Sequence, residues 1–115
     1  MQHIGAREFA ALLGGAPSAS ATLPLLLDVR ERWEFERAAL RADGLETLNL
    51  PMSEIAQRVA ELDPARPTVC LCHHGVRSAQ VAAFLEQRMG FTTVSNFTGG
   101  IDAWSVDVDP SVPRY

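Results

Sequence analysis

Short apolar runs alternate along this chain with stretches in which apolar residues recur every three or four positions. Leu25-Leu26-Leu27-Asp28-Val29 follows Pro24 as a continuous apolar run, which predicts a strand buried on both faces with Asp28 at its rim. Thr47 to Leu50, stopped by Pro51, predicts a second strand, and Thr68 to Leu71 and Val94 to Phe97 predict two more. Helical spacing fills the intervals. Arg7 to Leu13 carries Phe9, Ala10, Leu12 and Leu13, with Gly14-Gly15 as a stop. Glu31 to Leu40 has acidic residues early and Arg37 and Arg41 late, as the helix dipole favours. Ser53 is placed to cap a third helix whose Ile55, Ala56, Val59 and Leu62 share one face. Ala79 to Met89 shows a stripe of Val81, Ala82, Leu85 and Met89 with Gly90 as its C′ residue, and Ile101 to Trp104 is a short helical piece after the turn Gly99-Gly100. Gly14 to Pro24 reads as a loose surface loop, and the Pro-punctuated tail Val106 to Tyr115 as chain extended over the surface.

Strands alternating with amphipathic helices imply an α/β fold, a small mainly parallel β-sheet flanked by helices on both faces. Functional sites in such folds form beyond the C-terminal ends of strands, where Asp28 and Cys72 both fall. The 115 residues suit one domain, 1–115, with a core that needs no staples. No apolar run approaches the length that spans a bilayer, and Met1 to Gly5 shows no secretory pattern, so a cytoplasmic protein with no membrane partner is expected. Net charge is −4, all ten basic residues are Arg, and they form no basic block, so no nucleic-acid partner is indicated.

Chemistry concentrates in Cys72-His73-His74-Gly75-Val76-Arg77-Ser78. A cysteine at the end of a buried strand, followed by a short loop into a helix, faces successive backbone N–H groups and the positive end of the dipole. Such surroundings favour a nucleophilic or sulfur-carrying thiolate. Gly75 permits the tight curvature, and Arg77 offers a planar, permanently charged donor set. Ser78 reads as structural at the helix start, with its hydroxyl near the sulfur. Cys70 is read as a core thiol, since a disulfide across one intervening residue is disfavoured by strand geometry. His73 and His74 beside two cysteines raise a metal site, but adjacent rings project differently and zinc spacing is absent, so neither metal nor cofactor is expected. Asp28, at a strand-to-helix junction, can cap the helix that follows, a role compatible with one in the site. Arg30 serves either the pocket or a surface pair with Glu31 or Glu34. Trp33, Phe35 and Trp104 read as core or pocket wall.

The cysteine loop, with Asp28-Val29-Arg30 and Gly99-Gly100-Ile101-Asp102-Ala103-Trp104, resembles the rhodanese-like sulfurtransferases from Ile4 onward; the loop and the closing Asp109 to Tyr115 look like a bacterial single-domain branch. The resemblance implies a thiosulfate sulfurtransferase type of transferase, with Cys72 catalytic and passing through a persulfide. It implies that His73, His74, Gly75, Val76, Arg77 and Ser78 bind the substrate, with Asp28 and Arg30 at the pocket's rim. Donors would be thiosulfate or another persulfide, and acceptors cyanide, a thiol or a protein. A partner-dependent sulfur carrier is the alternative. Phosphatases that use a similar cysteine loop place five residues between Cys and Arg; here there are four, a cradle sized for sulfur rather than phosphate. The Gly-His-Ile-Pro-Gly-Ala stretch common in the family is replaced by Arg37 to Gly44.

Overall fold

A computed structural model describes residues 1–14 and 23–115. Five strands, β1 (Gln2–Ile4), β2 (Leu25–Asp28), β3 (Thr47–Asn49), β4 (Thr68–Leu71) and β5 (Val94–Phe97), form one sheet in the order β1-β5-β4-β2-β3. Every neighbouring pair is parallel, with Cys70 opposite Leu27 on one side and Asn96 on the other. The central strands β2 and β4 are buried along their whole length, which is why they read as unbroken apolar runs.

Helices α1 (Ala6–Gly14), α2 (Arg32–Arg37), α3 (Ile55–Arg58), α4 (Val76–Arg88) and α5 (Gly100–Asp107) supply the layers. The period-two alternation of strand side chains divides the core. Cys70 and Cys72 of β4 and its extension face a cluster with Ile55, Val81, Ala82 and Leu85 of α3 and α4. Val69 and Leu71 face the opposite cluster, with Phe9, Ile101 and Trp104 of α1 and α5. The expected sheet with helices on both faces is the observed architecture.

Several local readings are corrected. β1 carried no sequence signal because it is a three-residue edge strand, Gln2-His3-Ile4, without an apolar run. The helix expected to reach Leu40 stops at Arg37, where Ala38 turns extended (φ −155°, ψ 130°). The Arg30 guanidinium occupies the carbonyls at that helix end, with Nη1 donating to Glu34 O at 3.2 Å and Nη2 to Ala38 O at 2.7 Å. Ser53 makes no cap. It lies inside a 3-10 turn, Met52–Glu54, and the helix beyond it is one α-turn closed by a second 3-10 turn, Val59–Glu61.

The helix after the cysteine loop begins three residues earlier than expected, at Val76, and α5 continues past Trp104 to Asp107. The tail is not spread over the surface. Ser105 Oγ donates to Val112 O at 2.6 Å, Arg114 pairs with Asp102, and the chain folds back so that Val112 is buried and Tyr115 enters the site region. The loop read over Gly14 to Pro24 falls mostly on residues 15–22, outside the described residues.

Candidate active site

Cys72 sits just beyond the C-terminal end of β4, and α4 begins four residues later. Gly75 turns the chain between them at φ +106°, where a side chain would be strained and its Cβ would press on the backbone N of Gly99. The turn aims the Gly75 N–H at Cys72 Sγ at 3.1 Å, and the first turn of α4 adds the Ser78 N–H at 3.3 Å. Two backbone donors and a helix N-terminus thus converge on one sulfur. His73, His74, Val76 and Arg77 do not direct their N–H groups at Sγ in this arrangement; among the described residues these amides make no internal hydrogen bond. The Cys72 residue is only 1% exposed.

A buried polar chain stands behind the sulfur. The Cys72 thiol lies 3.3 Å from Ser78 Oγ, which donates to Asn96 Oδ1 at 2.5 Å, and Asn96 Nδ2 donates to Gly75 O at 3.3 Å. The Gly75 carbonyl only accepts, so the Asn96 amide must turn its NH2 there and its oxygen to Ser78. The one Ser78 proton is thereby committed to Asn96, leaving an oxygen lone pair toward the thiol. The sequence does not mark Asn96 as a site residue beyond placing a polar side chain inside the strand Val94-Ser95-Asn96-Phe97.

The loop is also held from outside. The N-terminus of α5 donates Ile101 N–H to Cys72 O at 2.9 Å and Asp102 N–H to His73 O at 3.1 Å. Gly100 makes this close approach possible, since a Cβ there would run into the carbonyls of both Cys72 and His73.

Asp28 and Arg30 lie beneath the site rather than at a rim. Both side chains are fully buried, and Asp28 accepts from Arg30 Nε at 2.9 Å, from Nη2 at 2.6 Å and from the Arg30 backbone at 3.1 Å. Asp28 therefore does not cap α2, and Arg30 is no surface residue; it meets Glu34 through the main-chain carbonyl, not the carboxylate. A buried pair of this kind is tolerable only with its remaining donors satisfied, which the carbonyls of Glu34 and Ala38 and the Tyr115 hydroxyl do.

The residue that joins the two regions is Glu34, 4% exposed on the inner face of α2. Its carboxylate accepts two bonds from Arg77, at 2.6 and 2.9 Å, one from the Tyr115 hydroxyl at 2.7 Å and one from the Glu31 N–H at 3.0 Å. Burial works against its charge, but the Arg77 guanidinium, the Tyr115 hydroxyl and the Glu31 amide outweigh burial and hold the carboxyl at about 2. Glu34 raises Arg77 in turn. Tyr115 also receives Arg30 Nη1 at 3.0 Å, and burial with Glu34 nearby pushes its hydroxyl to about 12.

The histidine rings do not diverge as adjacent residues were expected to. His73 stacks on His74 at 4.0 Å and on Tyr115 at 4.0 Å, the latter with planes only 9° apart. Burial, then the neighbouring His74, lowers the His73 pKa. Among the described residues no group of three or more His, Cys, Asp or Glu side chains is gathered for a metal. Cys70 is a core thiol, pushed up to about 12 by burial and then by the charge of Cys72. Trp104 packs in the core against Phe9 and Phe97. Trp33 is 60% exposed with its edge toward Tyr115, and Phe35 lies beneath the Arg41 guanidinium. Val76 is 69% exposed at the mouth side of α4. Among the described residues no helix is long and apolar enough to cross a membrane.

Comparison with known proteins adds to this geometry. Residues 6–107 match the family model described as a rhodanese-like domain. The Arabidopsis thaliana rhodanese-like/PpiC domain-containing protein 12, chloroplastic, is 43% identical over 90 residues, which cover 78% of this chain and 30% of that protein. A protein of Allochromatium vinosum named sulfurtransferase is 37% identical over 81 residues, covering 70% of this chain and 71% of its own. The crystal structure of a Staphylococcus aureus rhodanese-like domain protein superposes with a TM-score of 0.77 over 100% of this chain and 99% of its own, at 23% identity, and so bears on the fold. The chain thus spans less than a third of the Arabidopsis relative and most of the Allochromatium one.

Proposed function

The chain belongs to the rhodanese-like domain family, and from that premise we propose that it is a sulfurtransferase carrying sulfane sulfur as a persulfide on Cys72. The observation that carries the reading is the convergence of the Gly75 and Ser78 amides on Cys72 Sγ within a loop of four residues closed by Arg77. In the first half-reaction the Cys72 thiolate attacks the outer sulfur of a donor. The bond from that sulfur to the rest of the donor breaks, and the electron pair leaves as sulfite or as a thiolate. The amides that face Sγ, with the unpaired N–H groups of Val76 and Arg77, are placed to steady the negative outer sulfur as an oxyanion hole steadies oxygen. In the second half-reaction a thiophilic acceptor (cyanide, a thiol or a protein) attacks the outer sulfur and the Cys72 thiolate is the leaving group. Sulfurtransferase names among the relatives support this class of chemistry.

We infer that the activity needs a reducing setting, since this reading requires Cys72 as a free thiol. Asp28, Arg30, Glu34 and Tyr115 act as positioning residues: their polar groups meet one another and Arg77, not the space above Sγ. Intact mass spectrometry after incubation with a sulfur donor tests the reading. One added sulfur atom is expected, removed by cyanide and absent from Cys72→Ser; no adduct from any donor overturns it. An adduct without turnover to small acceptors identifies the partner-dependent form of the same carrier.

A further inference from the structure

Arg77 is the cation of the cysteine loop, and the structure does not leave its charge free. Both of its Nη atoms bond the two oxygens of Glu34, at 2.6 and 2.9 Å, and the Glu34 side chain is 5% exposed. Glu34 is itself fixed by the Tyr115 hydroxyl and the Glu31 amide, so it is held in place independently of Arg77. The other arginines nearby are likewise committed: Arg30 to Asp28, Arg114 to Asp102, and Arg32 to Glu54. Among the described residues, the arginines around the sulfur are each matched by a carboxylate. What remains to meet a substrate is a set of neutral amide dipoles around a sulfur that is 1% exposed.

We propose that Glu34 is a specificity-determining residue: by neutralising Arg77 it turns the site away from the dianion thiosulfate and toward low-charge persulfide donors. This rests on the persulfide-carrier reading above. The charge balance of the two reactions shows why. With thiosulfate, the Cys72 thiolate bonds the outer sulfur, the sulfur–sulfur bond to the sulfite group breaks, and sulfite leaves with the electron pair. Three negative charges are gathered throughout, two as sulfite and one on the new Cys72 persulfide. With an alkyl persulfide, whose terminal sulfur is ionised at neutral pH and above, Sγ bonds the terminal sulfur, the sulfur–sulfur bond breaks, and the alkyl thiolate leaves with the electron pair. Two negative charges are present throughout, one on the new Cys72 persulfide and one on the leaving thiolate. Repulsion among charges a few ångströms apart, about a sulfur that is 1% exposed, penalises the first reaction more than the second. An unpaired Arg77 would offset part of that penalty; a paired one does not.

The experiment measures second-order rates of sulfur loading on Cys72 by intact mass, with thiosulfate and with cysteine persulfide, at a pH of about 8 where ordinary histidines are neutral. Glu34→Gln frees the Arg77 charge, so the ratio of thiosulfate to persulfide loading rises about tenfold or more. Glu34→Gln combined with Arg77→Gln restores neutrality, and the ratio returns to within about threefold of the unaltered protein. A ratio that stays put or falls in Glu34→Gln overturns the inference and leaves the carrier reading standing. Salt gives a test without substitution. In the unaltered protein the thiosulfate rate holds level or rises as ionic strength goes from about 0.02 to about 0.5 M. A rate that falls with salt reveals an attractive site and overturns the inference. No adduct from either donor overturns the carrier reading and this inference together.

Discussion

Two loops leave the C-terminal ends of neighbouring strands, one after β2 and one after β4, and they use their polar residues in opposite senses. The end of β2 and its loop turn charge inward: Asp28 and Arg30 are both fully buried and bond each other, with Arg30 also donating to local carbonyls and to the Tyr115 hydroxyl. The β4 loop turns amides inward, upon a thiol, and sends its arginine sideways to a carboxylate on α2. A buried ion pair resists change because removing either partner strands the other. The Cys72 thiol instead meets two neutral backbone donors. The first loop is a foundation, and the second presents a thiol. Glu34 and Tyr115 are the span between them.

The contrast breaks most visibly at Arg30. Arg30→Met leaves the Asp28 carboxylate buried without its partner, and a loss of about 3–5 kcal/mol is expected, read from the urea midpoint. A loss under about 1 kcal/mol would mean that the pair is not the foundation described. The span is tested by acid. Glu34 is lowered from its ordinary 4.5 to about 2, so it binds its proton less readily folded than unfolded. Its contribution is complete above the unfolded value and is lost as pH falls from about 4.5 toward about 2. The stability difference between the unaltered protein and Glu34→Gln therefore narrows across that window, and a difference independent of pH would contradict the assignment. The smallest effect belongs to Cys70, on the same face of the sheet as Cys72 but without donors around it. Cys70→Ala is expected to cost about 1 kcal/mol and to leave sulfur loading on Cys72 intact. A loading rate that collapses with Cys70→Ala would erase the distinction between the two thiols.

What the sequence disclosed follows the range of the interactions concerned. The central strands β2 and β4 announce themselves because burial on both faces favours runs of apolar residues. The cysteine loop is legible because its parts are contiguous: strand end, Cys72, Gly75, Arg77 and the apolar stripe of α4. The partners of Arg77 are not contiguous. Glu34 lies 43 residues away and Tyr115 lies 81 residues from Glu34, and no local pattern links them. Arg30 misled for a related reason: an arginine beside two glutamates reads as a surface pair, whereas the fold draws it beneath α2 onto Asp28 and the helix-end carbonyls. Asn96 was hidden by its setting in a strand, where a polar residue signals a buried partner without naming it. The end of α2 moved because Arg30, outside the helix, takes the carbonyls of Glu34 and Ala38.

The hold of α5 on the back of the cysteine loop has a consequence for change over generations. Two consecutive carbonyls, those of Cys72 and His73, are gripped by main-chain N–H groups of Ile101 and Asp102, and Gly100 admits that grip. The back of the loop is thus moulded by backbone against backbone, while on its inner side the Gly75 and Ser78 amides close on Cys72 Sγ. His74 and Val76, both exposed, ride on the outside of the mould. Their identities can drift, altering what the mouth presents to a visiting molecule, while the Gly75 and Ser78 amides keep their aim at the sulfur. The price is paid at Gly75, Gly99 and Gly100, all at positive φ, where the casting allows almost no other residue.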